Sequence, residues 1–265
     1  MSILNRQNDG NLTILLAIAK TMSTLAPNGG AVSREKLSDY CAPETLIDRS
    51  SSAWNAFNGT IVRWKELGFF NGSEGEIRLC EAAQGLEPST LEERLPTLLK
   101  EFIFAPENNE NLWQQRDAKS ADFTRGVVWA LGQDIFEIPT YNWADLKSFS
   151  NGQFPIDADI KVFQNDTRWL GFKDWASYLG FAEYRYTKGR SNDLVIDPTG
   201  AVREALDIVF SEDDELDVDT FRTRLGRSVP VLDDGVYHRA LREKLADKWR
   251  RNLPRQNQFS IALSI

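Results

Sequence analysis

The residue types that most often carry out chemistry are scarce in this sequence. It has one histidine, His238, and two cysteines, Cys41 and Cys80, that lie far apart. Ser-His-Asp hydrolysis, Cys-His nucleophiles and histidine-rich metal sites all need an imidazole working with other groups. Neither a GxxxxGK[ST] phosphate loop nor a GxGxxG opening a helix after a strand occurs. We therefore expect no catalytic constellation, no metal, no cofactor and no small-molecule substrate.

One short pattern is compatible with a catalytic metal. Asp157, Asp159 and Lys161 form a (D/E)-x-K sequence with an acid upstream. On a strand, such a group can hold a metal ion for phosphodiester hydrolysis. A match this short arises often by chance, and the surrounding sequence does not predict the α/β sheet that the site needs. A metal-dependent nuclease is kept only as an alternative.

Lysines and arginines are concentrated near the C-terminus. Residues 220–255 hold ten Lys/Arg against four Asp/Glu, although the whole chain has a net charge of -8. The stretch "EYRYTKGRSNDLVIDPTG" predicts a hairpin with further cations at its turn. Cations on a hairpin or a helix can follow a phosphate backbone. The predicted DNA-binding residues are Arg185, Lys188, Arg190, Arg239, Arg242, Lys248, Arg250 and Arg251.

The same cations have a plainer explanation. Residues 81–163 carry seven Lys/Arg against fourteen Asp/Glu, and residues 211–219 hold six acids and no base. The basic stretches can pair with these acids inside the fold, and the hairpin turn can be an ordinary solvated tip. Both readings remain open from the sequence.

The first eighty residues predict three helices followed by a hairpin. Apolar spacing favours helices over 11–25, 33–41 and 53–67, and "RWKELGFFNGSEGEIRL" then reads as helix end, strand, turn and returning strand. This order is typical of a winged helix, whose third helix often enters the major groove. Here that helix has few cations, and Glu74 and Glu76 at the hairpin would repel phosphates. We therefore favour protein docking, with Asn55, Asn58 and Arg63 as candidate residues.

The remaining sequence repeats parts of this pattern. Helices are predicted over 87–105, 121–134, 142–149 and 168–180, and the last of these leads into the basic hairpin as a second winged-helix-like unit. Further helices are predicted over 199–210, 218–225 and 236–249, the last one basic, with Tyr237, Leu241 and Leu245 buried. They suggest a third unit. The predicted fold is mainly α with small β wings, in tandem winged-helix-like units spanning 1–86, 87–198 and 199–265.

Composition agrees with an ordinary globular protein. The chain is 42% hydrophobic and 26% charged, with a mean hydropathy of -0.41. The apolar run Ile14–Ala19 is far shorter than the ~20 residues that span a bilayer, and no signal peptide is visible. Two cysteines do not make a disulfide framework. We expect a cytoplasmic protein without membrane partners.

Five stretches of the sequence together resemble a known family. They are "MSILNRQNDGNLTILLAIAKTM", "LSDYCAPET", "RWKELGFFNGSEGEIRL", "TRWLGFKDWASYLGFA" and "RSVPVLDDGVYHRAL". Along the whole chain, the sequence is similar to the DpdG family of the bacterial dpd cluster, which places deazaguanine derivatives in DNA. The resemblance implies a DNA modification and restriction system with a transglycosylase and helicase- or nuclease-like components. It supplies no catalytic motif to transfer.

These observations predict a non-enzymatic protein. We expect an accessory subunit of a modification-dependent restriction system that acts in phage defence. Its partners would be other subunits of the complex and double-stranded DNA. A winged-helix transcription regulator is the main alternative, and it would need dimer symmetry and operator specificity.

Overall fold

The computed structural model describes residues 2–6, 10–73, 75–114, 119–187 and 190–252. At 186–187, 190–193 and 250–252 the description covers the backbone alone. The chain divides into two compact units. The first comprises Met1–Asn111 with Arg116–Ala121, and the second comprises Leu112–Gln115 with Asp122–Ile265. The division into 1–86, 87–198 and 199–265 stays a prediction.

The first unit alternates helices with very short strands. Its elements are α1 (Leu12–Leu25), β1 (Val32–Ser33), α2 (Arg34–Cys41), α3 (Ser52–Leu67), β2 (Phe70–Asn71), β3 (Glu76–Leu79) and α4 (Pro88–Ile103), with 3-10 turns at Glu81–Ala83 and Pro106–Asn108.

Side-chain caps define where the helices of this unit begin. The side-chain oxygens of Asn11, Ser33 and Ser51 accept hydrogen bonds from the backbone amides of Ile14, Lys36 and Trp54. Each cap satisfies an amide that has no partner within its helix. Helix α3 ends at Gly68, whose φ of 98° lies in the left-handed region that glycine adopts without strain.

The three strands of the first unit form one antiparallel sheet in the order β1-β3-β2. Val32 faces Ile77 and Phe70 faces Leu79 in this register. Strand β3 alternates exposed and buried residues, so one face of the sheet packs on the helices. The short strand β1 was not predicted, because two residues are too few to show an alternating pattern.

The core of the first unit lies between α1, α3, α4 and the sheet. Trp64 and Phe69 pack edge to face at 5.8 Å, and Phe69 also contacts Phe102 at 5.9 Å. Trp64, Phe57 and Phe69 are almost fully buried. Burial of aromatic side chains of this size supplies much of the driving force for folding.

The second unit contains more helix and one hairpin. Its elements are α5 (Ala121–Leu131), α6 (Trp143–Asn151), α7 (Asp166–Tyr178), β4 (Ala182–Thr187), β5 (Arg190–Ile196), α8 (Thr199–Val209), α9 (Val218–Ser228), α10 (Val236–Lys244) and α11 (Asp247–Asn252), with a 3-10 turn at Ile156–Ala158.

Aromatic rings form the centre of the second unit. Phe163 lies 6.1 Å from Trp129, 5.2 Å from Trp169 and 4.9 Å from Phe172, measured between ring centroids. Gly126 on α5 makes this packing possible, since a Cβ atom there would come within 2.8 Å of the Phe163 ring. Helix α5 is therefore held against the aromatic cluster by a position that only glycine fits.

A continuous basic helix over 236–249 was predicted, and this prediction is wrong. The helix breaks after Lys244, because Leu245 has an extended backbone with ψ of 144°. The amide of Ala246 donates to the carbonyl of Gln153 at 3.0 Å instead of continuing the helix. Trp249 Nε1 donates to the carbonyl of Gly152 at 2.9 Å. Tertiary hydrogen bonds thus override a favourable helical pattern, while Tyr237, Leu241 and Leu245 are buried as predicted.

The described residues confirm a mainly helical chain with small antiparallel sheets. Across these residues, none of the helices combines the length and the apolar character that a membrane span requires.

Candidate functional site

The predicted basic hairpin is present as an antiparallel pair. Strands β4 and β5 align Tyr184 with Leu194 and Arg185 with Asp193, and the register shifts between Arg185 and Thr187. Arg185 is exposed. Lys188 lies outside the described residues, and of Arg190 only the backbone belongs to them. The structure therefore places Arg185 on the exposed hairpin.

One tyrosine of the hairpin faces the helices and not the solvent. Tyr184 donates its hydroxyl proton to Asp174 Oδ1 on α7 at 3.2 Å, and its side chain is half-buried. A tyrosine held in this way anchors the hairpin to α7. Its role had no sequence signal, because alternation along a strand does not reveal which face packs on a helix.

Helix α10 carries the second group of predicted cations. Arg239, Arg242 and Lys244 are all exposed. Arg239 Nη1 donates to the carbonyl of Asp234 in the preceding turn, which fixes that guanidinium near the start of the helix. The short helix buries only Tyr237 and Leu241, so its remaining faces are free to present charge.

The cations after the helix break are placed differently. Lys248 is exposed, and its Nζ lies 5.8 Å from the ring centroid of Trp249 in a cation–π contact. The side chains of Arg250 and Arg251 lie outside the described residues. Because α10 and α11 are separate helices, Lys248 does not continue the line of Arg239 and Arg242.

The single histidine, His238, belongs to α10 itself. His238 Nε2 is 3.6 Å from Asp233 Oδ1, and the two side chains are only 12% and 14% exposed. Burial lowers the pKa of His238, and Arg242 and Arg239 lower it further, whereas the carboxylate of Asp233 opposes them. The imidazole is consequently neutral near pH 7 and adds no charge to α10.

Some arginines of the C-terminal region do pair internally. Arg222 Nη2 contacts Asp234 Oδ2 at 2.6 Å, and Arg224 Nη2 contacts Asp213 Oδ2 at 2.6 Å. Both arginines belong to α9, and Asp213 belongs to the acidic segment before it. Internal pairing therefore neutralises Arg222 and Arg224 of α9, whereas Arg242 and Lys244 have no ion pair among the described residues.

The three candidate docking residues of α3 have different environments. Asn55 is exposed. Asn58 accepts a hydrogen bond from Arg34 Nη2 at 2.6 Å and donates to the Trp54 carbonyl at 3.1 Å. Arg63 is 2% exposed and pairs with Glu66. The structure does not bring the three together on one accessible surface.

Sequence reasoning missed other side chains at this end of α3. The guanidinium of Arg49 lies 5.0 Å from the ring centroid of Trp54 and also pairs with Glu44. Arg34 is the first residue of α2, and its long side chain reaches Asn58 on α3 in the folded unit. No spacing in the sequence relates these residues, so only the fold reveals them.

The turn between β2 and β3 is fastened to α3. Lys65 Nζ donates to the carbonyls of Gly72 and Ser73 at 3.2 and 2.6 Å. Glu76 is exposed, and Glu74 lies outside the described residues. Lys65 therefore supports the turn, and its charge is shared with backbone carbonyls.

A buried arginine of the second unit was also missed. Arg125 Nη1 donates to the carbonyls of Leu112 and Gln114 at 2.6 and 3.1 Å, and its Nε donates to Val162 at 3.4 Å. It is 1% exposed, and burial lowers its pKa. These bonds tie α5 to two irregular segments, which is a structural role.

The proposed nuclease residues do not lie on a strand. Asp157 is in the 3-10 turn, Asp159 has a φ of 44°, and Lys161 follows on an irregular segment. Lys161 Nζ is 4.0 Å from Asp159 Oδ1. Among the described residues, no group of three or more His, Cys, Asp or Glu is arranged to hold a metal ion. The strand that the nuclease alternative requires is missing from this stretch.

The two cysteines are not paired with each other. Cys80 is buried, and Cys41 is half-buried with its thiol 3.3 Å from Thr21 Oγ1. Burial raises the pKa of both thiols. Both are therefore in the less reactive thiol form near neutral pH.

Comparison with known proteins gives one positive result. No curated protein and no solved structure matches the chain. A family model described as DpdG-like matches residues 1–265, the full length of the sequence. This match confirms the resemblance carried by the five stretches quoted above, and the chain belongs to the DpdG-like family.

Proposed function

We propose that this protein is a non-catalytic accessory subunit of a DNA modification-dependent restriction system, where it contacts DNA and docks partner proteins. The observation that carries the proposal is the family match over residues 1–265, which supports a place in the deazaguanine modification cluster. The exposed cations of the second unit give this subunit a means of contacting DNA.

The proposal treats the first unit as a winged helix. Its element order is helix, short strand, two helices and a two-stranded hairpin, and its sheet order is β1-β3-β2. Helix α3 would then occupy the recognition position. After its first two residues, only Asn55, Val62 and Glu66 of this helix are exposed, and this nearly uncharged surface suits protein docking better than phosphate contact.

A second winged-helix-like unit is proposed for α5, α6, α7, β4 and β5. Three helices precede an antiparallel hairpin, as in the first unit. The hairpin takes the position of a wing, which in many winged helices touches the DNA backbone. Within 199–252 the structure describes helices and no strand, so a third unit would lack its wing there.

DNA contact is assigned to the hairpin and to α10. Arg185 on β4 and Arg239, Arg242 and Lys244 on α10 are exposed. Cations that meet phosphates release counterions, which gives affinity without sequence preference. The contact proposed here is therefore to the backbone of double-stranded DNA, with specificity supplied elsewhere in the complex.

Fluorescence anisotropy of the full-length protein on a labelled duplex of ~30 base pairs tests this assignment. We expect micromolar binding that weakens steeply between low and moderate salt. The triple variant Arg185→Glu, Lys188→Glu, Arg190→Glu should bind about tenfold or more weakly and show a flatter salt dependence.

A matched control changes the net charge by the same amount as the hairpin triple variant, but at three positions in the first unit. Lys36, Arg78 and Arg94 are exposed, and their triple replacement by glutamate should leave DNA affinity within about twofold of wild type. Equal losses in both triples would show that only net charge matters. Absence of binding at low salt would remove DNA contact from the proposal.

A further inference from the structure

The hairpin of helices α8 and α9 carries an apolar surface. Leu206 and Phe210 are one turn apart at the end of α8, and Val218 and Phe221 are about one turn apart at the start of α9. The rings of Phe210 and Phe221 are 5.6 Å apart, which joins the two pairs. We call these four residues the α8–α9 strip.

The apolar side chains of the α8–α9 strip are partly or largely exposed to solvent. Val218 is 67% exposed and Phe210 is 37% exposed. Leu206 and Phe221 are half-buried, whereas Val209 and Leu225, three and four residues further along their helices, are buried. Adjacent exposed apolar side chains on a soluble domain are typical of a surface that another molecule covers.

Carboxylates border the strip. The segment between α8 and α9 contains Glu212, Asp214 and Glu215, all exposed and without an ion pair in the described part of the chain. Two further acids are already used: Asp213 pairs with Arg224, and Asp217 accepts hydrogen bonds from the first amides of α9. The three carboxylates of Glu212, Asp214 and Glu215 therefore give the border of the strip a negative charge that no ion pair in the described part of the chain neutralises.

We propose that the α8–α9 strip docks a basic amphipathic helix of a partner protein. Apolar side chains of that helix would cover Phe210 and Val218, and its Lys and Arg residues would meet the carboxylates of the border. This is the helix-in-groove mode of recognition, with charge complementarity that speeds association and excludes wrong partners. The acidic border repels both DNA and anionic membranes, so a basic protein segment is the occupant that fits.

This inference goes beyond the proposed function, because it assigns a separate surface and does not depend on DNA contact. Its test uses the full-length protein and a fluorescein-labelled synthetic helix of about 16 residues, with Leu on one face and Lys on the other. We expect micromolar binding that weakens with salt. Two control peptides carry Glu in place of Lys, or Ser in place of Leu, and neither should bind comparably.

Paired variants locate the binding. Val218→Ser should weaken binding of the Leu/Lys peptide about tenfold, because it removes the most exposed apolar contact. Val236→Ser at the start of α10, where Val236 is 53% exposed, is the matched control and should bind as wild type does. Joint replacement of Glu212, Asp214 and Glu215 by Lys should abolish binding.

Three results would overturn the inference: no binding of the Leu/Lys peptide, equal binding of the Lys/Ser peptide, or equal affinities for the Val218 and Val236 variants. Thermal unfolding of each variant checks that it still folds. If Val218→Ser lowers the melting temperature, the joint replacement of Glu212, Asp214 and Glu215 by Lys tests the docking surface in its place. DNA affinity is measured on the same samples. If the unmodified protein binds DNA but not the Leu/Lys peptide, this inference alone is refuted; if it binds the peptide but not DNA, the DNA contact alone is refuted.

Discussion

Helices α3 and α10 use arginine in opposite ways. In α3, Arg63 is 2% exposed and pairs with Glu66. In α10, Arg242 is exposed and has no ion pair among the described residues. Both residues are arginines within helices. Their neighbours on each helix therefore decide whether the charge faces the core or the solvent.

The reason lies in the spacing of apolar residues. Arg63 continues a stripe in which Ala56, Thr60 and Leu67 are all buried, so its side chain packs into the core and its guanidinium is buried against Glu66. Helix α10 is short and buries only Tyr237 and Leu241, which leaves most of its circumference to solvent. A count of cations per helix therefore does not predict their availability to DNA.

The largest expected effect on stability comes from removing the buried arginine, Arg63. Arg63→Ala should lower the free energy of unfolding by about 2 kcal/mol, because it removes a packed stem and a charge-assisted hydrogen bond. Arg242→Ala should change it by less than ~0.5 kcal/mol, as exposed substitutions usually do. Urea unfolding of the two variants measures the difference, and equal losses would contradict the contrast between the helices.

Charge reversal tests the role of the exposed arginines of α10. The double variant Arg239→Glu, Arg242→Glu should weaken DNA binding about tenfold at low salt and reduce the salt slope by nearly one unit per lost phosphate contact. Asn55→Glu on α3 should leave DNA affinity unchanged, since that surface is assigned to proteins. If Asn55→Glu weakened DNA binding as strongly as the double variant, α3 would have to be reassigned to DNA.

The smallest expected effect concerns the protonation of His238. Because burial and the nearby arginines lower its pKa in the folded protein, the unfolded chain binds the proton more readily. The free energy of unfolding should therefore fall as the pH drops below the unfolded value of 6.5, and level off below the folded value. His238→Gln should remove this part of the pH dependence.

Proton NMR provides a direct check on the same group. His238 is the only histidine, so its ring C–H resonances are unambiguous. A folded-state pKa at or above 6.5 would show that Asp233 outweighs burial and the arginines, and that α10 carries an additional positive charge at mildly acid pH.

Much of the fold could be predicted from local patterns. Helices α1, α2 and α3 begin within one residue of the expected start, because apolar spacing is a local signal. Strand β3 lies in the stretch where a returning strand was predicted. The two-residue strand β1 was missed, since it is defined only by its partner Ile77 across the sheet.

The candidate site was less predictable than the fold. Sequence reasoning identified exposed cations on β4 and α10, but it also selected Asn58, which is held by Arg34, and Arg63, which is buried. Spacing along α3 did not show that Arg63 lies on a buried face of the helix. The bond from Arg34 to Asn58 had no sequence signal either, because it joins residues of two helices that come near each other only in the folded unit.

The sequence by itself determined the helical composition, the helix starts, the concentration of positive charge near the C-terminus and the family to which the chain belongs. These properties depend on residue type and short-range order. Only the tertiary structure decided that the basic helix breaks at Leu245, where the amide of Ala246 bonds to the distant carbonyl of Gln153. It also decided which arginines are paired and which are exposed, because long side chains choose their partners from residues that packing brings together and not from neighbours along the chain.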